Sequence, residues 1–254
     1  MTENLREAQM VMLELLFEFD RICTKHKLSY WLDFGTLLGA VRHKGFIPWD
    51  DDLDVAMPRE DYEKFLKIAT DELKDDVFLQ TKQSDKTFFA HFTKLRDRKS
   101  TYIEIFEEGN ITKYHQGIYM DIFPVNYISN RKPIKYSYTL LKYLTKFFSN
   151  RYIAIDFFAI PLIKLMIKFH NKNNNFVVRG GEMMTNELKL NKNEIFPLKK
   201  IEFEGHFFNV PKNYDTYLKQ FYGNYMDIPS VSKRTYHHIY ISVDELCDKE
   251  KVNR

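Results

Sequence analysis

Four acids crowd one short stretch of this 254-residue chain, Trp49-Asp50-Asp51-Asp52-Leu53-Asp54-Val55. Side chains alternate across an extended backbone, so Asp52 and Asp54 share one face and Asp51 turns to the other. Two carboxylates on one face repel each other, and a divalent cation relieves that repulsion. Carboxylate oxygens are hard ligands, which suit Mg²⁺ best and are compatible with Mn²⁺. A calcium loop is the nearest rival. Asp50, Asp52 and Asp54 match positions one, three and five of an EF-hand, but the sixth is Val55, where a sharp turn needs Gly, and the twelfth is Asp61 instead of Glu. A solvated acidic turn is another alternative, although such a turn needs no neighbours like Ile47, Pro48 and Trp49.

Upstream, Gly35-Thr36 follows the ring-rich run Tyr30-Trp31-Leu32-Asp33-Phe34. A strand, then Gly with a small hydroxyl, then a helix start leaves backbone N–H groups facing an anion. Alone this signal is weak, but joined to a same-face Asp pair it describes the two ends of one phosphoryl group's environment. Asp121 is a lone acid in the apolar run Gly117-Ile118-Tyr119-Met120-Asp121-Ile122-Phe123-Pro124. Burying an unpaired carboxylate is costly, so Asp121 is expected to meet a cation. The cation is a metal ion, making Asp121 a third metal ligand, or else a Lys or Arg.

Further cations are candidates for holding phosphate. Arg42, His43 and Lys44 precede the acidic turn, with a solvated loop as the plainer reading of His43. Lys94 and Arg96 flank Leu95 in a predicted strand and so face one side, toward a pyrophosphate or toward solvent. Lys233, Arg234, His237 and His238 are expected to close over the site from the C-terminal side. Adjacent histidines without further spaced ligands do not make a zinc site, and Cys23 and Cys247 are too few for a disulfide framework.

The elements that position these residues read as follows. Residues 3–27 form an amphipathic helix, with Leu5, Ala8, Met12, Leu15, Phe19 and Ile22 on one stripe. Strands are predicted at 30–34, 53–57, 77–80, 90–95, 101–106 and 117–123. Short and longer helices are predicted at 37–42 and 59–73, the latter opened by Pro58. Residues 134–148 have helical periodicity, and a helix after Pro211 stops at Gly223.

Apolar residues are 44% of the chain and charged residues 29%, which supports a packed core and excludes disorder. The length suits one α/β domain, spanning 1–254, with a basic helical insertion at about 130–175. No secretory signal and no membrane-length apolar run is visible, so a cytoplasmic setting is expected. The net charge of +3 is uneven: residues 130–172 hold nine basic residues and one acid, while the other 29 basic and 34 acidic residues leave the remainder at −5. That block reads as a helical subdomain, as a dock for an anionic glycan, or as a peripheral contact with an anionic membrane. Nucleic acid is not an expected partner, because the rest of the chain is net acidic.

The strings Gly35-Thr36-Leu37-Leu38-Gly39, Arg42-His43-Lys44-Gly45-Phe46 and Trp49-Asp50-Asp51-Asp52-Leu53-Asp54 closely resemble the LicD family, related to the fukutin-type enzymes. The resemblance continues through Lys94-Leu95-Arg96-Asp97, Asp121-Ile122-Phe123-Pro124, Val210-Pro211 and Tyr222-Gly223-Asn224-Tyr225-Met226, and on to Pro229, Lys233-Arg234 and His238. It implies an α/β (α+β) fold, a polymerase-β-like nucleotidyltransferase core with a mixed sheet flanked by helices. It also implies a Mg²⁺-dependent phosphotransferase. The donor would be CDP-linked, such as CDP-choline, and the acceptor a hydroxyl of a cell-surface glycan: teichoic acid, lipopolysaccharide or capsule. Such an enzyme would work in the cytoplasm or at the inner face of the membrane. On this pattern Gly35 and Thr36 match the phosphate-holding turn, Asp52 and Asp54 the metal-binding pair, and Asp51 takes a supporting role. Choline phosphate, glycerol phosphate and ribitol phosphate are all compatible as the transferred group. Two alternatives stay open: a nucleotidyltransferase that delivers a nucleoside monophosphate to a small molecule or protein, and a non-catalytic binding module of the same fold.

Overall fold

A computed structural model describes residues 3–88, 90–105, 114–128, 176–179 and 190–244. The basic block at 130–172 and the helical insertion expected there lie outside the described residues. The long first helix, α1 (Glu3–Lys25), buries its whole predicted stripe, with Ala8, Met12, Phe19 and Ile22 fully inside. It packs against strands of the central sheet and against α3 (Arg59–Glu72).

The sheet begins with β1 (Trp31–Leu32), β2 (Asp54–Pro58), β3 (Val77–Gln80), β4 (Thr93–Asp97) and, after β5 (Thr101–Glu104), β6 (Tyr119–Ile128). Its order is β1-β2-β6-β4-β3. Only the β2·β6 pair is parallel; β1·β2, β4·β6 and β3·β4 are antiparallel. The sheet is therefore mixed and flanked by helices, as expected. Beyond the predicted end of β6, its last residues pair with β7 (Phe176–Arg179), which in turn pairs with β8 (Leu190–Asn191).

Helix α2 (Phe34–His43) starts three residues earlier than its predicted span, because Asp33 caps it by accepting from the Phe34 N–H at 2.9 Å. Phe34 has φ 39°, which turns the chain sharply from β1 into the helix. At its far end Lys44 takes a left-handed C-cap, φ 59°, and Gly39 lies so close to the next loop that an added Cβ would sit 2.5 Å from the Gly45 carbonyl oxygen.

The C-terminal third carries α4 (Lys192–Ile195) and a hairpin absent from the sequence reading, β9 (Lys199–Phe203) and β10 (His206–Val210). They are followed by α5 (Tyr214–Tyr222), with Gly223 at its C-cap as predicted. The last strand, β11 (His238–Ser242), pairs with β5. Among the described residues no helix is long and apolar enough to cross a membrane.

Candidate active site

A cavity of about 480 Å³ opens where α2, the acidic loop and the C-terminal segment meet. One wall is acidic: Asp50, Asp52 and Asp54 line it, with Gly35 from the first turn of α2. Basic and aromatic side chains, Arg42, Lys233, Arg234, His237 and Tyr222, line the same cavity, and the His237 Nδ1 comes within 3.5 Å of Asp52 Oδ2. The predicted Asp pair thus shares one cavity. Asp50 joins it as a third acid that the sequence reading left in the calcium-loop alternative. The same two-residue alternation that pairs Asp52 with Asp54 also points to Asp50. Gly35 is required here, since a Cβ would come within 2.6 Å of Asp50 Oδ2.

Thr36 does not face the cavity. It is buried, and its hydroxyl accepts the Asp54 backbone N–H at 2.8 Å, tying α2 to the first residue of β2. Its predicted phosphate contact is replaced by a backbone anchor, because the strand's first N–H would otherwise be buried unpaired.

Asp51 does not line the cavity, although the His237 Nδ1 that it meets also lies 3.5 Å from Asp52 Oδ2. It accepts the backbone N–H groups of His237 at 2.7 Å and His238 at 3.0 Å. The His237 Nδ1 lies 3.1 Å from its Oδ1, and the His238 Nδ1 bonds its Oδ2. Burial works against a charge on Asp51, but these imidazole and backbone donors prevail and hold its carboxyl well below the usual range. The hydrogen bond to Asp51 in turn pushes His237 up to about 9, against burial and with help from Asp52.

The other acids shift the opposite way. Burial, then repulsion from Asp52, Asp121, Asp33 and Asp50, raises Asp54 well above an ordinary Asp. Burial, then Asp52 and Asp51, does the same for Asp50. Asp52 is raised by burial, with His237 opposing. This is the electrostatic state that a divalent cation would discharge.

Asp121 sits beside Asp54 in register on the parallel β2·β6 pair, and beside Lys94 on the antiparallel β4·β6 pair. Lys94 is its cation. The Nζ is 2.9 Å from Oδ1 and donates to Oδ2 at 3.2 Å. It also stands 3.3 Å over the Tyr119 ring. Burial still pushes Asp121 up to about 6, against the pull of Lys94. The Oδ1 is buried without an aligned hydrogen bond. Asp121 is therefore next to the acidic wall but does not line the cavity, and its partner is the lysine that the sequence left as the alternative to a metal ion.

Several predicted phosphate-binding cations are engaged elsewhere. Arg96 is buried and donates to the Gln80 Oε1 at 2.6 Å and the Gly117 carbonyl at 2.7 Å, so it is neither exposed nor in the cavity. His43 packs edge-on against Trp49, and Lys44 points outward, 3.8 Å from Glu202. Arg42 does reach the cavity while donating to the Tyr225 and Asp227 carbonyls at 2.7 and 3.1 Å.

The donor set of the acidic wall, hard carboxylate oxygens with raised proton affinity, fits Mg²⁺ or Mn²⁺. Among the described residues no three His, Cys, Asp or Glu side chains are already drawn together as an ion cage. Acidic and basic side chains lining one cavity fit a phosphate-bearing ligand that brings a cation with it.

Comparison with known proteins agrees with this geometry. Residues 27–147 match the LicD/FKTN/FKRP nucleotidyltransferase domain. The chain is 28% identical to the lipopolysaccharide cholinephosphotransferase LicD of Haemophilus influenzae, over 93% of this chain and 96% of that protein. A shorter stretch, 13% of this chain, is 56% identical to the human ribitol 5-phosphate transferase FKRP, covering 7% of it. An uncharacterised protein of Rickettsia typhi is 47% identical over 22% of this chain and 18% of its own length.

Proposed function

We propose that this chain, whose residues 27–147 match the LicD/FKTN/FKRP nucleotidyltransferase domain, is a phosphotransferase that modifies a cell-surface glycan. In finer terms, it moves a substituted phosphate, such as phosphocholine, from a CDP-linked donor to a glycan hydroxyl with Mg²⁺ bound. The full-length similarity to a lipopolysaccharide cholinephosphotransferase supports this reading. The observation that carries it is the cavity itself, which Asp52 and Asp54 line together with Arg42, Lys233 and Arg234.

Asp52 and Asp54 would hold the cation, with Asp121 beside Asp54 in the sheet and Asp50 beside Gly35 in the cavity lining. When bound, the cation neutralises charge on the transferred phosphoryl oxygens and on the leaving nucleotide phosphate. The chain's own residues do the remainder. Lys233, Arg234 and Arg42 hold the donor phosphates. Gly35 keeps the floor of the cavity clear beside Asp50. Thr36 fixes the start of β2 and with it Asp54. One of the wall carboxylates takes the proton of the attacking hydroxyl. The work is positioning and electrostatic stabilisation, which suits phosphoryl transfer.

A release assay over a panel of CDP-linked donors, with a glycan acceptor, tests the reading. CMP release with a modified acceptor is expected. Pyrophosphate release with a nucleotidylated acceptor would transfer the case to the nucleotidyltransferase alternative. Chelation is expected to stop turnover and added Mg²⁺ to restore it. Asp54→Asn is expected to stay folded and lose at least about a hundredfold in rate, equivalent to roughly 2.7 kcal/mol of barrier. Near-normal turnover in that variant would refute the role of the acidic wall.

The cytoplasmic face of a membrane is the proposed setting, with the basic block at 130–172 as the peripheral contact. Flotation with anionic vesicles, lost at high salt, is the expected behaviour. Equal recovery with neutral vesicles would remove charge as its cause.

A further inference from the structure

The run Asp50-Asp51-Asp52 divides its work between two faces. Asp50 and Asp52 line the cavity, while the side chain of Asp51 is 1% exposed and spent on the C-terminal segment. That segment forms the basic wall. Between α5 and β11 it holds a single short 3₁₀ turn, Val231–Lys233, and Val231 is largely exposed. It has little core of its own to fix it. Arg42 holds its start through the Tyr225 and Asp227 carbonyls at 2.7 and 3.1 Å, and three further attachments hold the part around Lys233 to His238. Asp51 gathers two consecutive backbone N–H groups and both imidazoles of His237 and His238. The Arg234 guanidinium lies 3.8 Å over the Trp49 ring. The His237 carbonyl accepts the Ile105 N–H at 2.7 Å.

We propose that Asp51 is a positioning residue: it does not touch the reactants but holds Lys233 and Arg234 in the cavity that Asp52 and Asp54 line, so that these two cations stay in place only while Asp51 is docked. The ligand of these two cations is a diphosphate, and this deepens the donor reading given above. A carboxylate that caps two successive N–H groups is a stiff joint, because its oxygens replace water at donors that have no other partner in the segment. One loop, 49–54, thereby sets both walls: Asp52 and Asp54 directly, and Lys233 and Arg234 through Asp51 and Trp49.

The test uses the full chain, Asp51→Ala, Asp51→Asn and the double variant Lys233→Ala/Arg234→Ala. Two readouts are taken without turnover: hydrogen exchange of residues 231–242, and the affinities of CDP and of inorganic pyrophosphate. Asp51→Ala is expected to lose protection at the amides of residues 237 and 238 and to weaken both ligands at least tenfold. Asp51→Asn keeps one oxygen for the backbone donors and is expected to recover part of both losses, which also answers the case in which the Ala variant fails to fold. Removing Lys233 and Arg234 after Asp51→Ala is expected to cost much less than removing them from the parent chain. Additive losses, or unchanged exchange in both Asp51 variants, would overturn the proposal. If the parent binds pyrophosphate but not CDP, the donor reading fails, and the anchor is judged on pyrophosphate and exchange. If the parent binds neither, the anion-binding wall fails with it.

Discussion

The buried lysine–aspartate pair decides what the third predicted acid does. Lys94 and Asp121 are 4% and 8% exposed, and neither charge has water to fall back on. Removing one partner of such a pair strands the other, which typically costs about 3–5 kcal/mol, whereas replacing both can be nearly neutral. Lys94→Met is therefore expected to lower stability by that order in urea unfolding with chelator present. Asp121→Asn placed in the same background is expected to recover more than half of it. Failure of the second change to recover stability would mean that Lys94 matters for packing over Tyr119 and not for its charge. Thr36 offers a second residue-scale test. Thr36→Val keeps the shape but leaves the Asp54 N–H without its acceptor. A loss of about 1–3 kcal/mol is expected, read by the same unfolding curve. A neutral result would show that water reaches the start of β2.

At the scale of elements, the acidic loop is held from behind by the β9–β10 hairpin. Its two-residue turn, Glu204-Gly205, has both φ values positive, 51° and 77°, a geometry that matches the twist of paired strands. From this turn Glu204 accepts a bidentate pair of bonds from Arg6 at 3.0 and 2.6 Å and the Phe46 N–H at 2.9 Å. The hairpin thus links α1 to the loop that leads into the acids. Glu204→Ala is expected to cost about 1–2 kcal/mol, discounted because Arg6 is 41% exposed. Gly39→Ala is expected to cost about 1–3 kcal/mol, since the contact it creates is with backbone and cannot be relieved by a rotamer change. Differential scanning calorimetry on both variants checks the order, with Gly39→Ala the more harmful. Element boundaries from sequence were close where the period was long, as in α1 and α3. They were short in α2 and β6, whose ends are set by a side-chain cap and by pairing with β7, neither of which leaves a local periodic signal.

For the whole molecule, His115 contributes a loss of stability in acid, opposed over the same range by the raised acids Asp50, Asp54 and Asp121, which take up protons more readily in the folded chain. Burial, then the nearby Arg96 and Arg98, lowers His115 from its ordinary 6.5 to about 4. The unfolded chain therefore takes up a proton near pH 6.5 that the folded chain refuses until about pH 4. Between those values the unfolded state binds more protons at this site, so the contribution of His115 is full above pH 6.5 and is lost as the pH falls toward 4. A decline of about 1–3 kcal/mol is expected across that window, with some allowance for partial exposure. His115→Gln is expected to flatten this part of the profile in urea unfolding at pH 7, 5.5 and 4.5. An unchanged slope would place the acid sensitivity elsewhere.

The amino-acid sequence by itself determined the buried stripe of α1, the strand that carries Asp54, and the pairing of Asp52 with Asp54 in one cavity lining. Each of these follows from a period of two or 3.6 residues and needs no knowledge of distant parts of the chain. The tertiary structure decided which partner each charge meets: Lys94 for Asp121, the His237 and His238 amides for Asp51, the Asp54 N–H for Thr36. Those pairings join segments far apart in the chain. They depend on strand register and on competition among buried polar groups for a limited set of partners, and that competition is settled only when the whole chain has packed.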